Sequence, residues 1–304
     1  MPLFDQPPLL NLSSLQSTIQ KDLELVSTLH ESEYNAPLIS NYSTAMQNIF
    51  YISASITVAF VSFIAALRNI SKKKLGTTSS SSYLPDERKL RIAYQATNLC
   101  VNLILGLYGI YHYNFTLPPM NDLTVTERIV GFDHNLMFIC FQIGYNLWSL
   151  PVGYFLMNES AAMLGHHIAT VTVSLISGLS TTGFRYHTVF FFGLIEISSV
   201  PLAIMNFCKN NKDLAQEYCP RVRDTIRQIF AAIFLTTRVL MWTPNMRDVL
   251  RSAMMLLWTS PSWFTSIILF LFILSALFLT FLQFFWGYKI VKGLIGMVQK
   301  TKKV

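Results

Sequence analysis

The chain has 304 residues, of which 52% are hydrophobic and only 13% are charged, whereas an ordinary soluble domain carries about 25% charged residues. This composition excludes a soluble globular protein and predicts an all-α polytopic membrane protein. The net charge of +7 does not indicate a nucleic-acid partner, because the basic residues concentrate beside hydrophobic runs, where they set membrane topology.

The chain divides into five predicted parts. A polar segment at residues 1–48 comes first, and an apolar run at 49–67 follows, about as long as a helix that crosses the hydrocarbon core. A basic loop at 68–92, with three consecutive lysines and a serine run, separates this span from the rest. Residues 93–298 contain six further apolar segments, and residues 299–304 form a basic tail.

The six later segments bring the predicted number of membrane spans to seven. They occupy residues 93–113, 135–157, 163–182, 188–207, 226–242 and 264–286. Basic residues cluster in the loop before the second span, in the loop after the fifth, and beyond the seventh. The positive-inside rule therefore predicts a lumenal N-terminus and a cytosolic C-terminus.

Two kinds of short signal agree with this orientation. Glycosylation sequons at Asn11, Asn41 and Asn114 fall on the predicted lumenal side. Lys302 and Lys300 stand third and fifth from the end of the tail, which is similar to the dilysine signal of endoplasmic reticulum membrane proteins. The alternative is that these lysines are ordinary cytosolic basic residues.

Some ionisable residues lie inside apolar segments, where a charged side chain costs roughly 2.5–3.5 kcal/mol. His166 and His167 lie in the fourth predicted span and Glu196 lies about halfway through the fifth. His166, Thr170 and Ser174 recur at helical spacing and form one polar stripe. We expect the histidines and the glutamate to meet across an internal cavity.

These residue types suit acid–base or nucleophilic chemistry. A histidine can take a proton from a nucleophile or take an acyl group itself, while Glu196 orients its ring. Serine hydroxyls would then stabilise an oxyanion. The structural alternative is that these groups bond one another and helix backbones, as buried polar groups must.

Arg238, in the sixth span, either pairs with Glu196, binds an anionic head group or reaches to the interface.

A series of motifs gives the chain a family resemblance. The order is GYFL at 153–156, the histidine pair with Thr170, Glu196-Ile-Ser-Ser-Val-Pro201, Arg238 followed by Pro244, and Trp286-Gly-Tyr-Lys-Ile-Val-Lys-Gly293. Over residues 91–298 this order resembles the TLC domain of ceramide synthases and related membrane proteins. The resemblance implies a bundle of six helices around a cavity, preceded here by the extra helix at 49–67.

The chain departs from the ceramide synthases at several positions. By the resemblance, those enzymes join an acyl chain from acyl-CoA to a sphingoid base, using the histidine pair and a later His-Asp and Asp. Here Ile195-Glu196 and Ser199 stand in the later places, and Asn158 stands where many members carry Asp. Glu196 and Ser198, with Pro201 one residue late, resemble the Glu-x-Ser-x-Pro signature of the small TLC-domain-containing proteins. This group is associated with membrane lipid composition.

Two functions therefore remain open. One is a lipid acyltransferase of the endoplasmic reticulum that uses His166, His167 and Glu196, with acyl-CoA as co-substrate and neither a cofactor nor a metal. Its substrate-binding groups would be Thr170, Ser174, Ser198, Ser199, Arg238 and Asn158. The other is a non-catalytic lipid-binding or regulatory protein with the same cavity. A retinal receptor is disfavoured because the last span contains no lysine, and a metal oxidase because the six histidines are scattered.

Overall fold

The computed structural model describes residues 42–75, 86–132, 135–179, 184–213, 216, 222–260 and 262–301. These residues are helical, with short connections and no strand among them, so the all-α prediction is confirmed. Most of the segment 1–48, including the sequons at Asn11 and Asn41, lies outside the described residues, as does the end of the tail.

The described residues form ten α-helices and five shorter helical turns, one of which is the 3-10 turn Met120–Asp122 between the second and third α-helices. The α-helices are α1 Tyr42–Leu75, α2 Asp86–Phe115, α3 Val125–Val130, α4 Asn135–Val152, α5 Ala161–Leu179, α6 Thr188–Phe192, α7 Ser199–Asn210, α8 Val222–Leu235, α9 Trp242–Thr259 and α10 Trp263–Thr301. Wider π-helical turns at Gly153–Met157 and Thr236–Leu240 follow α4 and α8, and 3-10 turns at Arg185–His187 and Leu194–Ser198 precede α6 and α7.

Five helical segments are long and apolar enough to cross a membrane, which agrees with a multi-pass membrane protein. They are Ser43–Ile70, Asn135–Met157, Ala161–Gly178, Arg185–Asn210 and Trp263–Gly296. The other two predicted spans, 93–113 and 226–242, are also helical. Their polarity comes from residues such as Asn98, Asn102 and Arg238, which line the interior.

The predicted fifth span, 188–207, is not one regular helix. A break at Gly193 and a 3-10 turn separate α6 from α7. The break occurs where α2 crosses at very close range, because a Cβ on Gly109 would overlap the backbone of Gly193 and Leu194. Only glycine allows two backbones to approach this closely.

Six helical elements form a ring. Going round it, α2 packs against α6 and α7, α7 against α8, α8 and α9 against α10, α10 against α5, and α5 against α4. The extra helix α1 lies outside and packs into the seam between α2 and α4. The ring thus has the arrangement that the sequence resemblance implies.

The two ends of the ring differ in charge. Exposed Arg91, Lys209 and Lys289 lie at one end, which we call the basic end. At the far end Asp248 lies between two groups, 3.2 Å from Arg128 Nη1 and 3.3 Å from His187 Nε2. This cluster joins α3, the 3-10 turn before α6, and α9.

Candidate catalytic cavity

A cavity of about 730 Å³ lies inside the ring, and all six ring elements contribute to its wall. The wall reaches exposed Arg91, Lys209 and Lys289 at the basic end, and buried residues such as Glu196 and Arg238 deeper inside. The cavity therefore opens at the basic end and leads to polar groups within the bundle. Most of the predicted site residues lie on this wall.

His167 is held in one tautomer by two residues of α4. Its Nδ1 lies 2.7 Å from Asn146 Oδ1, and Asn146 Nδ2 donates to the Gln142 carbonyl at 2.7 Å. Because the Asn146 amide nitrogen is used by the helix backbone, its oxygen must accept, so His167 Nδ1 donates. The lone pair of the neutral ring is therefore on Nε2, 3.7 Å from Glu159 Oε2.

Glu159 is a cavity residue that the sequence interpretation missed. Its Oε1 accepts a hydrogen bond of 2.7 Å from the Tyr94 hydroxyl, and its Oε2 is buried without a hydrogen-bond partner among the described atoms. Burial raises the pKa of the Glu159 carboxyl, although the Tyr94 hydrogen bond lowers it in part. The carboxyl lies in the connection between two membrane-spanning helices.

Local backbone geometry places this carboxyl in the cavity wall. The π-helical turn Gly153–Met157 lies beside Pro151, and Asn158 then adopts a left-handed conformation with φ 54° and ψ 51°. A Cβ on Gly153 would lie 2.8 Å from Glu159 Oε2, so this glycine leaves room for the carboxyl. Asn158, predicted to bind substrate, is exposed and turns the chain rather than facing the cavity.

Of the partners expected for Glu196, the structure places Arg238 against it and not a histidine. Arg238 Nη2 lies 3.1 Å from Glu196 Oε2, and the Ser199 hydroxyl donates to the same oxygen at 2.7 Å. Arg238 Nε also donates to Ser198 Oγ at 2.7 Å. Among the described residues, no hydrogen bond or ion pair joins Glu196 to His166 or His167. The ion pair therefore lets both charges remain inside the bundle.

Two turns in the backbone bring this ion pair together. The 3-10 turn Leu194–Ser198 places Glu196 and Ser199 three residues apart on one face. The π-helical turn Thr236–Leu240, close to Pro244, carries Arg238. Such turns re-aim the side chains they contain, and they occur frequently at functional sites.

His166 lies where the large cavity meets a second, narrow one. The narrow cavity has a volume of about 40 Å³ and a mainly apolar wall, and His166, Gln142 and Glu196 contact both cavities. The His166 ring packs against Trp286 with 5.5 Å between ring centroids, and its buried Nδ1 has no hydrogen-bond partner among the described atoms. His166 is thus the histidine placed between a polar chamber and an apolar extension.

Most of the remaining predicted residues line one of the two cavities. Ser198 and Ser199 line the large cavity, whereas Thr170 lines the narrow one and donates to the His166 carbonyl at 2.8 Å. Ser174 is fully buried, and its hydroxyl oxygen has no partner among the described atoms. No group of three or more His, Cys, Asp or Glu side chains in the described part of the chain could hold a metal ion.

The cavity is electrostatically positive. Arg238 neutralises Glu196, and the raised pKa of Glu159 favours its neutral form. No ion pair within the described residues neutralises Arg91, Lys209 or Lys289 at the basic end; Lys289 Nζ instead lies 4.1 Å from the centre of the Phe285 ring. A cleft lined by one sign of charge concentrates ligands of the opposite sign, so this entrance favours an anionic ligand.

The comparison with protein families gives one match. A family model described as the TLC domain matches residues 91–292, a region that begins within α2, ends within α10 and includes part or all of each ring element. Among curated proteins, none matches the chain.

Proposed function

Because the chain belongs to the TLC-domain family, we propose that this multi-pass membrane protein of lipid metabolism or homeostasis transfers an acyl chain inside its central cavity. The observation that carries the proposal is the position of His166 and His167 on the wall of a chamber with a cationic entrance. His166 lies beside the apolar extension, and His167 presents an unprotonated Nε2. The chemistry would take place where an acyl chain and a polar head meet.

The reaction would join a lipid amine to the acyl group of a thioester. The amine nitrogen attacks the carbonyl carbon, a C–N bond forms and the C–S bond breaks. A histidine accepts the amine proton and returns it to the departing thiolate, so no other reactant is needed. The alternative order, in which His166 first takes the acyl group, uses the same residues.

Arg238 is the best-placed group to stabilise the oxyanion. The Ser199 hydroxyl already donates to Glu196, and the Ser198 hydroxyl donates to the Ile195 carbonyl. Arg238 uses Nε and Nη2 for its contacts, and its Nη1 makes no hydrogen bond among the described residues. A guanidinium group carries five N–H donors, so two of them remain for an oxygen of the substrate.

The basic end suits the phosphates of acyl-CoA. The positive-inside rule would place this end in the cytosol, where it could take up acyl-CoA. The tail would carry an endoplasmic reticulum signal. A thioester that enters there would direct its phosphates to Lys209 and Lys289 and its acyl group towards His166. The compartment and orientation are part of the proposal.

Reversing two entrance charges should weaken acyl-CoA binding. We expect Lys209→Glu with Lys289→Glu to raise the Kd of a non-hydrolysable thioether analogue of palmitoyl-CoA about tenfold or more, which corresponds to about 1.4 kcal/mol. The effect should shrink as salt is added, because exposed charges are screened. Fluorescence anisotropy in nanodiscs measures the affinity.

Lys292→Glu is the matched control, since Lys292 is exposed on the same helix but does not line the cavity. This variant should bind the analogue as the unmodified protein does. Equal affinity of all three proteins would show that acyl-CoA does not enter through the basic end, and would contradict the proposal.

A second function is favoured by one specific observation. In a ceramide synthase-like site Glu196 would orient a histidine. Here it forms an ion pair with Arg238 and accepts a hydrogen bond from Ser199 instead. A lipid-binding or regulatory protein would use the same cavity without turnover. That function predicts that the acyl-CoA analogue binds while the thioester of palmitoyl-CoA is not consumed.

A further inference from the structure

We propose that Glu159 and His167 form a coupled acid–base pair in the cavity wall, with one proton shared between the carboxyl group and imidazole Nε2. The carboxylate that serves the histidine pair is then Glu159, from the connection between α4 and α5, and Glu196 serves Arg238. The pair's use as the base of acyl transfer rests on the proposed function, whereas its existence can be measured without any substrate.

The hydrogen bonds leave only one place for the shared proton. His167 Nδ1 donates to Asn146, so its Nε2 offers a lone pair. Glu159 Oε1 already accepts from Tyr94, so Oε2 is the free carboxyl oxygen, and it is the oxygen 3.7 Å from His167 Nε2. A lone pair and a carboxylate at this separation repel each other unless a proton lies between them.

Burial makes the shared proton necessary. His167 is 7% exposed and Glu159 Oε2 is inaccessible, so water does not compensate these atoms. The same burial raises the pKa of the Glu159 carboxyl above its usual range, which agrees with a carboxyl that is short of compensation. Burial strongly disfavours a carboxylate that no cation or donor compensates.

Other titratable groups surround the same cavity and set the field at the pair. Tyr94 and Arg91 face it from α2, Tyr145 from α4, His166 from α5, Glu196 and Lys209 from the α6–α7 element, Arg238 from the turn after α8, and Lys289 from α10. The cations at the entrance favour the ionised carboxyl. These cations lie at the mouth of the cavity, whereas His167 lies next to Glu159. The charge of His167 therefore has the largest effect on the ionisation of the Glu159 carboxyl.

The coupling defines what each residue would do during acyl transfer. When the pair has lost its shared proton, Nε2 accepts a proton from the attacking amine, and the Glu159 carboxylate stabilises the imidazolium that forms. The same proton then passes to the departing thiolate. Glu159 acts through His167 and is therefore a positioning residue.

Infrared titration of the purified protein tests the pair directly. A protonated carboxyl has a C=O stretching band that disappears on ionisation, and Glu159→Gln identifies the band of Glu159 by its loss. In His167→Asn, this band should persist to a pH about one unit or more higher, because an opposite charge within about 4–6 Å shifts a carboxyl pKa by about 1–3. The pKa of Glu159 rises when its imidazolium partner is removed.

His166→Asn is the matched control, since it removes the neighbouring histidine that does not contact Glu159, and it should move the band much less. A band that titrates identically in the unmodified protein and in His167→Asn would overturn the proposal. If His167→Asn does not fold, the ¹⁵N resonance of His167 Nε2 in Glu159→Gln supplies the answer. A shift of that resonance, with the resonances of His166 unchanged, supports the pair, and no shift overturns it.

The catalytic use of the pair has a separate readout. If palmitoyl-CoA is consumed, Glu159→Gln should lower kcat/KM about 10²-fold and remove the limb of the pH profile that Glu159 causes, and Glu159→Asp should restore part of the rate. A lower rate with an unchanged pH profile would show that Glu159 has only a structural role in turnover. Failure of all turnover would contradict the proposed function while leaving the spectroscopic test of the pair intact.

Discussion

Replacing both histidines, His166→Ala with His167→Ala, should leave the fold intact and lower turnover of palmitoyl-CoA by about 10²–10⁴-fold. That range is what general acid–base catalysis contributes, and a nucleophilic role for His166 would place the loss at its upper end. The fold should survive because both side chains line a cavity, and the only side-chain hydrogen bond lost among the described atoms is the one between His167 and Asn146.

Release of the CoA thiol measures this turnover, and binding of the thioether analogue shows that the altered cavity still takes a ligand. His112→Asn is the control, because this histidine lies at the far end of α2, away from the cavity. Unchanged turnover in the double variant would rule out catalysis by the histidine pair. Loss of both turnover and folding would assign the pair a structural role.

Removing the arginine of the buried ion pair should have the largest effect on stability. Arg238→Met leaves the Glu196 carboxylate, whose side chain is only 10% exposed, without its cation. Breaking a buried pair in this way costs about 3–5 kcal/mol. The free energy of unfolding in mixed detergent micelles, measured with increasing sodium dodecyl sulfate, gives the value.

A second substitution distinguishes a charge effect from a packing effect. Arg238→Met combined with Glu196→Gln removes the uncompensated charge and should recover most of the loss. Arg88→Met is the more exposed control. It removes an ion pair of 2.6 Å with Asp213, which is 64% exposed, and such pairs contribute about 0–1 kcal/mol; it also removes the hydrogen bond of 2.7 Å from Arg88 Nε to Asn211 Oδ1. If Arg238→Met costs no more than Arg88→Met, or the double variant is as unstable as the single one, the ion pair is not what holds these helices together.

Hydropathy alone could predict most of the helices, because a membrane imposes a simple rule on apolar length. Two spans, 93–113 and 226–242, are less apolar than the others. The reason is that they carry residues such as Asn102 and Arg238, which face the interior. In a ring around a polar cavity, a span with low mean hydropathy is therefore one whose inward side carries polar residues. The histidine pair and Glu196 could be identified for the same reason.

The sequence left the pairing of Arg238 with Glu196 as one of three alternatives and did not predict the partners of the histidines, because these contacts depend on departures from regular helix geometry. A 100° helical wheel cannot show that a π-helical turn carries Arg238 to Glu196, or that a left-handed Asn158 turns Glu159 into the cavity wall. The sequence did offer one signal for Glu159. Its carboxyl follows directly after Asn158, the position where the family resemblance leads one to expect an aspartate.

The most direct test of the central claim is the site at which a photoreactive acyl-CoA attaches to the protein. An acyl-CoA with a diazirine on its acyl chain, activated by light in nanodiscs, should label cavity residues such as Met163, Leu202 and Trp286, and an excess of unlabelled acyl-CoA should prevent the labelling. Mass spectrometry of the digested protein locates the label. Labelling confined to outward-facing residues such as Phe270 and Phe281, without competition, would contradict the account, because the ligand would then contact only the outer surface of the ring.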